Sequence, residues 1–193
     1  MTNRITLLCV PATAALRAGR FPADEPLDTD PCEHLASLAQ AIHAIQADHV
    51  LCSPARSALD TARALGLSPT PAPALREVDY GRWTGLSLKE VAAAEPEAIA
   101  AWLSDPAMDA HGGESLDAAI ARVGQWAGHC QWDAAHTLIL APASAIKAFL
   151  LHALQAPARV YWQLDIAPLT LTTLSVHQDT WRLMSAGVPA GPR

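Results

Sequence analysis

The chain has 193 residues, 51% of them hydrophobic and 17% charged, and its apolar excess is largely alanine, 40 residues in all; this suffices for one substantial core, is short for two full-size domains, and excludes disordered and collagen-like classes. Thirteen basic against nineteen acidic side chains leave a net charge of −6, and no Lys/Arg cluster with interleaved aromatics occurs, which argues against nucleic-acid and anionic-membrane partners. The longest apolar stretch, Leu138 to Leu151, is interrupted by Pro142 and Lys147, so no membrane span is expected.

Met1 to Val10 meets Pro11 after too short an apolar run for a secretory leader, and a cytoplasmic location is the expectation. Thr6 to Val10 reads as a short buried strand, as does His49 to Cys52, which ends at Ser53-Pro54. Between them Asp30-Pro31 opens a helix whose buried face is Leu35, Leu38, Ala39 and Ile42. Ala55 to Leu65 is a second helix, stopped by Gly66. The stretch from Leu75 to Gln131 shows no strand, only helices at Leu88–Ala94 and Leu116–Trp126 and the glycines Gly81, Gly85, Gly112 and Gly113, and reads as an insertion covering the site. Thr137 to Leu140 is a third strand, followed by a helix through Leu154, and Pro168–Val176 with Trp181–Met184 form a final strand pair.

Three strand–helix alternations imply right-handed crossovers around a mostly parallel sheet, with the ligand site beyond the carboxyl ends of the strands. The expected architecture is a three-layer α/β/α sandwich in one domain, 1–193, with the insertion at about 75–131. The informative loops are those after Val10, Cys52 and Leu140. Cys9, Cys32, Cys52 and Cys130 form no C-x-x-C pair and are expected as free thiols, without structural zinc. His34, His43 and His49 lack metal-ligand spacing, and no cofactor is expected. The scattered tryptophans suit core packing or a homodimer interface.

Five segments in order resemble the histidine phosphatase superfamily, the phosphoglycerate mutase-like proteins. Cys9-Val10-Pro11-Ala12-Thr13 falls in the frame of that family's Arg-His-Gly-Glu-Thr, followed by Gly19-Arg20-Phe21, and Asp24-Glu25-Pro26-Leu27 is similar to its next turn. Cys52-Ser53-Pro54-Ala55-Arg56-Ser57-Ala58 resembles its Ser-Ser-Pro-Leu-x-Arg-Ala. Leu75-Arg76-Glu77-Val78-Asp79-Tyr80-Gly81-Arg82-Trp83-Thr84-Gly85 is similar to its Leu-x-Glu and Phe-Gly-x-Trp-x-Gly segment, and Gly112-Gly113-Glu114-Ser115 to its Gly-Gly-Glu-Ser helix start. Leu138 to Ala148 is similar to its strand-Ser-His-Gly-Gly segment.

The resemblance implies phosphoryl transfer through a histidine nucleophile held among two arginines and a second histidine, with a carboxylic acid protonating the leaving oxygen. Here the nucleophile's place holds Val10 and the arginine before it is Cys9. Pro11 replaces the glycine and removes a backbone donor. The second arginine falls on Ser57, with Arg56 one position away, and the second histidine on Pro142, followed by Ala143 and Ser144. Glu77, at the acid's position, is kept. An arginine or oxyanion donor supplies ~3 to 4 kcal/mol of transition-state stabilisation, so standard chemistry is not expected, and a Glu77 carboxyl without cations should hold its proton more tightly.

The expectation is therefore a non-catalytic member with a remodelled pocket for a small molecule or a protein partner. The rival is a hydrolase using a substitute nucleophile, for which Cys9 is the candidate; it would need Arg20, Arg56 or Lys147 in the cleft. Cys9 and Cys52, expected to end neighbouring strands, could then pair as a redox couple. Thr13, Arg20, Arg56, His111 and Ser144 are the expected pocket-lining residues.

Overall fold

A computed structural model describes residues 2–28, 32–178 and 180–190. Its strands are β1 (Asn3–Cys9), β2 (His49–Cys52), β3 (Thr70–Pro71), β4 (His136–Ala141), β5 (Thr170–His177) and β6 (Thr180–Pro189). The helices are α1 (Ala14–Arg17), α2 (Cys32–His43), α3 (Arg56–Ala64), α4 (Leu88–Ala94), α5 (Pro96–Ser104), α6 (Leu116–His129) and α7 (Ala143–Ala153). The strands form one sheet in the order β3-β2-β4-β1-β5-β6. The β3, β2, β4 and β1 pairings are parallel, and β5 and β6 add two antiparallel pairings at one side.

Burial on both faces explains the apolar runs. Ile5, Leu7, Cys9, Ile139 and Ala141 project to one face and pack with Val123 and Ala127 of α6 and Ile146 and Phe149 of α7. Leu8, Val10, Cys52, Leu138 and Leu140 project to the other, against Leu35, Leu38 and Ile42 of α2 and Ala58 and Ala62 of α3. The result is the expected three-layer sandwich. The expected helix start at Asp30-Pro31 and the side chain of Cys32 lie outside the described residues. No helix among the described residues is long and apolar enough to cross a membrane.

The 75–131 stretch has no strand and carries α4, α5 and the whole of α6. Helix α5 was not expected, although Glu95-Pro96 places a proline at its first turn, where the missing N–H costs nothing. A separate cluster holds this region together: Phe21 from the loop after α1, Trp83, Val91 of α4, Ile99 of α5 and Met108. Trp83 is fully buried, with the Phe21 ring 5.4 Å and the Trp102 ring 6.1 Å from its own.

Truncating a fully buried tryptophan removes both its transfer energy and its packing. Trp83→Ala is expected to lower unfolding stability by about 3–5 kcal/mol, read from the urea midpoint; a loss under 1 kcal/mol would show that the cluster does not support the fold.

Candidate functional site

The three loops at the carboxyl ends of β1, β2 and β4 surround a cavity of about 530 Å³, within the size range of small-molecule sites. Cys9 to Thr13 come from the first loop, Pro54, Ala55 and Ser57 from the second, and Pro142 and Ala143 from the third. Arg76 to Tyr80 and Thr84 close the cavity from the 75–131 stretch, and Pro22 to Glu25 form its rim. Glu77, Cys9, Val10, Pro11, Ser57, Pro142, Ala143 and Thr13 are thus brought to one place.

Two devices fix the segment that carries Glu77. On its amino-terminal side Arg122 of α6 donates to the backbone carbonyls of Ala74 and Arg76 and makes a two-point ion pair with Glu114, at 2.8 and 2.7 Å. Arg76 also pairs with Glu114, at 3.0 Å. On its carboxyl-terminal side two backbones nearly touch, since a Cβ on Gly113 would lie 2.1 Å from the Asp79 carbonyl oxygen and one on Gly81 2.3 Å from that of His111. Only glycine tolerates such an approach. The Gly112-Gly113-Glu114-Ser115 segment therefore does more than begin a helix: Ser115 caps α6 by accepting the Ala118 N–H, while Glu114 anchors two arginines.

Glu77 Oε1 accepts hydrogen bonds from the Ser144 hydroxyl and, at 2.9 Å, from the Val78 N–H. No hydrogen bond or ion pair among the described residues reaches its Oε2. Desolvation is the main influence on this carboxyl and raises its proton affinity; nearby Glu25 pushes the same way, and the two hydrogen bonds and more distant Arg122 only partly oppose them.

The thiol of Cys9 is 2% exposed and donates weakly to the Val10 and Ile166 carbonyls. Burial first, then the Glu77 charge, push its pKa up to about 12, and burial does the same for Cys52. Neither is a poised thiolate. The expected redox couple is corrected by the strand order: β4 lies between β1 and β2, with Cys9 opposite Ala141 and Cys52 opposite Leu140. Two strand spacings are about 9–10 Å, too far for a disulfide, and the two side chains pack on opposite faces.

Four expected lining residues sit elsewhere. Arg20 turns away to the Gly85 carbonyl (3.0 Å) and Glu90 (3.2 Å), where it ties the loop after α1 to α4. Arg56 is exposed and does not line the cavity; its backbone N–H, at the start of α3, is taken by Asp24 Oδ1 at 2.8 Å. His111 is 1% exposed beneath Trp83, with ring centres 4.9 Å apart, and its Nδ1 accepts the Gly113 N–H at 3.0 Å. Ser144 lies behind Glu77 as its donor rather than on the cavity wall. Lys147, the remaining cation considered, stands 5.0 Å over the Tyr161 ring. Sequence reasoning read Asp24-Glu25 only as a turn similar to the family's and did not expect either on the cavity wall, and it missed the Arg122 clamp.

The family model for the histidine phosphatase superfamily (branch 1) matches residues 13–188, and the chain belongs to that superfamily. It is 35% identical over 136 residues to the bifunctional protein Rv2228c of Mycobacterium tuberculosis, covering 67% of this chain but only 37% of that protein. It is 40% identical over 97 residues to a glucosyl-3-phosphoglycerate phosphatase of Mycolicibacterium vanbaalenii, covering 46% of this chain and 43% of that one. Among solved structures, a mycobacterial glucosyl-3-phosphoglycerate phosphatase in complex with VO3 superposes with a TM-score of 0.83 at 26% identity, over 96% of this chain and 99% of the other.

Two outcomes test this description of the site. A carboxyl whose folded-state pKa is raised ionises in the unfolded chain first, at about pH 4.3. Its contribution to stability is therefore present below that pH and is lost as pH rises through the folded value. Glu77→Gln, which keeps an acceptor for Ser144, is expected to raise the melting temperature at pH 8 more than at pH 4; an equal or reversed effect would mean an ionised, stabilised Glu77. Iodoacetamide at pH 8 is expected to leave Cys9 and Cys52 unlabelled in the folded protein and to label both in urea, as read by mass spectrometry.

Proposed function

We propose that this chain is a non-catalytic member of the histidine phosphatase superfamily whose remodelled cavity binds a small-molecule ligand. The observation that carries the reading is Val10: the position that the resemblance gives the nucleophile holds a side chain with no lone pair, 6% exposed, on the wall of an open cavity. The family match itself begins at residue 13, after this segment.

The electrostatics support the same reading. Phosphoryl transfer requires positive charge around the equatorial oxygens, and Arg76 is the only cationic lining residue among those described, already paired with Glu114. An arriving dianion would meet Asp24 at the start of α3, where a backbone donor could otherwise serve it. The rival hydrolase reading draws on the phosphatase names of the relatives. Its nucleophile would have to be Cys9, and a thiol pushed up to about 12 supplies a vanishing thiolate fraction near neutral pH. A cytoplasmic setting belongs to the same proposal.

The test is phosphate release from a broad panel of phosphomonoesters by purified protein, compared with Glu77→Gln and Cys9→Ser. Release at the background rate in all three is expected. Release that either substitution abolishes would overturn the non-catalytic reading.

A further inference from the structure

The contact that fixes the carboxyl-terminal side of the Glu77 segment is closed by a titratable ring. Residues 79–83 and 109–115 meet where Gly81 and Gly113 bring two backbones together. The Arg82 N–H donates to the His111 carbonyl at 3.0 Å, the Glu114 N–H donates to the Asp79 carbonyl at 2.7 Å, and the Arg82 guanidinium reaches the Ala110 carbonyl. One further bond sets the direction of the Gly113 backbone within this junction: its N–H donates to His111 Nδ1 at 3.0 Å. An imidazole accepts at Nδ1 only when it is neutral and carries its one proton on Nε2.

The surroundings suit that neutral form. His111 is 1% exposed, its ring centre lies 4.9 Å from that of Trp83, and its Nε2 is closed off from solvent with no hydrogen-bond partner. A protonated ring has two N–H donors to satisfy. Here one would face the Gly113 N–H, donor against donor, and the other would meet no acceptor. Charged groups face the ring from three segments: Arg82 and Asp79 from the opposing one, Glu95 from the junction of α4 and α5, and Asp109 from the ring's own. Arg82 repels a second cation and the three acids attract one, but Glu95 is committed to a two-point ion pair with Arg82, and Asp79 accepts the Gly81 N–H. Burial first, then Arg82, lower the proton affinity of the ring, and the acids only partly oppose them.

We propose that His111 is a pH-sensitive latch for the cavity wall: neutral, it holds residues 109–115 against 79–83 and so keeps the wall that carries Glu77, Asp79 and Tyr80 in place; protonated, it gives up the Gly113 bond and releases that wall. The device acts on the shape of the cavity, and it operates whether the cavity only binds its ligand or also turns it over. Above about pH 6.5 the ring is neutral in the closed and the open form alike, and the latch is at full strength. As pH falls toward the lower value of the closed form, the open form takes the proton first and the latch weakens. A ring with the ordinary value of about 6.5 when open favours opening about tenfold more at pH 5.5 than at pH 7.5.

Hydrogen–deuterium exchange read by mass spectrometry at pH 7.5 and 5.5, with each rate divided by the intrinsic rate of the unstructured peptide at the same pH, tests this. Peptides covering 79–83 and 109–115 are expected to lose about tenfold in protection on acidification, and threefold at the least, while the peptide covering α3, 56–64, keeps its own. His111→Asn supplies a side-chain oxygen as acceptor for Gly113 and does not titrate, so its protection in all three peptides is expected to hold within about twofold over the same step. Should that variant fail to fold, the side-chain nitrogen NMR spectrum of the wild-type protein decides: the His111 ring, identified by its contact with Trp83, is expected as the Nε2–H tautomer at pH 7.5, with its protonation midpoint below about 6.5. A loss of protection under threefold, an equal loss in His111→Asn, or an Nδ1–H tautomer at pH 7.5 overturns the proposal.

Discussion

Everything at this site depends on one carboxyl held at a cavity wall and, among the described residues, in no ion pair. Glu77 is gripped from both sides, by the Arg122–Glu114 pair before it and by the glycine contact between Gly81 and Gly113 after it. Neither device touches the chemistry of phosphate. Both position a carboxyl, and Cys9, Val10, Ser57 and Pro142 line the same cavity. Desolvation governs the carboxyl, and its proton is held more tightly.

That single change propagates outward. A site built for a dianion needs donors at helix starts and free arginines. Here Asp24 occupies the first donor of α3, Arg20 serves as a tie between the loop after α1 and α4, and Lys147 stands over Tyr161. Each cation that might have been recruited has a structural partner or an exposed position elsewhere. Meanwhile the cavity has not closed: Val10 and Pro142 line it without filling it. A scaffold that keeps an open, mostly apolar cavity and a buried acid has the properties of a binding site.

Much of the fold was legible in the sequence, for identifiable reasons. The strands ending at Cys9, Cys52 and Ala141 are apolar runs that stop at Pro11, Ser53-Pro54 and Pro142, and the helices between them carry strong periodicity. Strand order was less legible, because β4 enters the sheet between two strands that precede it in the chain; this is why the Cys9–Cys52 couple fails. Glu77 and its surroundings could be placed from motif spacing, but Arg20 and His111 could not, since their partners, Gly85, Glu90 and Trp83, are chosen by tertiary packing. Glu25 falls in a turn segment similar to the family's, but nothing in that segment marks it as a cavity residue.

The central claim is that the cavity no longer welcomes an oxyanion, and thermal denaturation with inorganic vanadate tests it most directly. Vanadate resembles the transferred phosphoryl group, and any ligand that binds only the folded state raises the melting temperature. With ionic strength matched by chloride, the account predicts an unchanged melting temperature up to about 10 mM vanadate. A saturable rise, lost in Glu77→Gln or Cys9→Ser, would contradict it and place a working oxyanion site in this cavity.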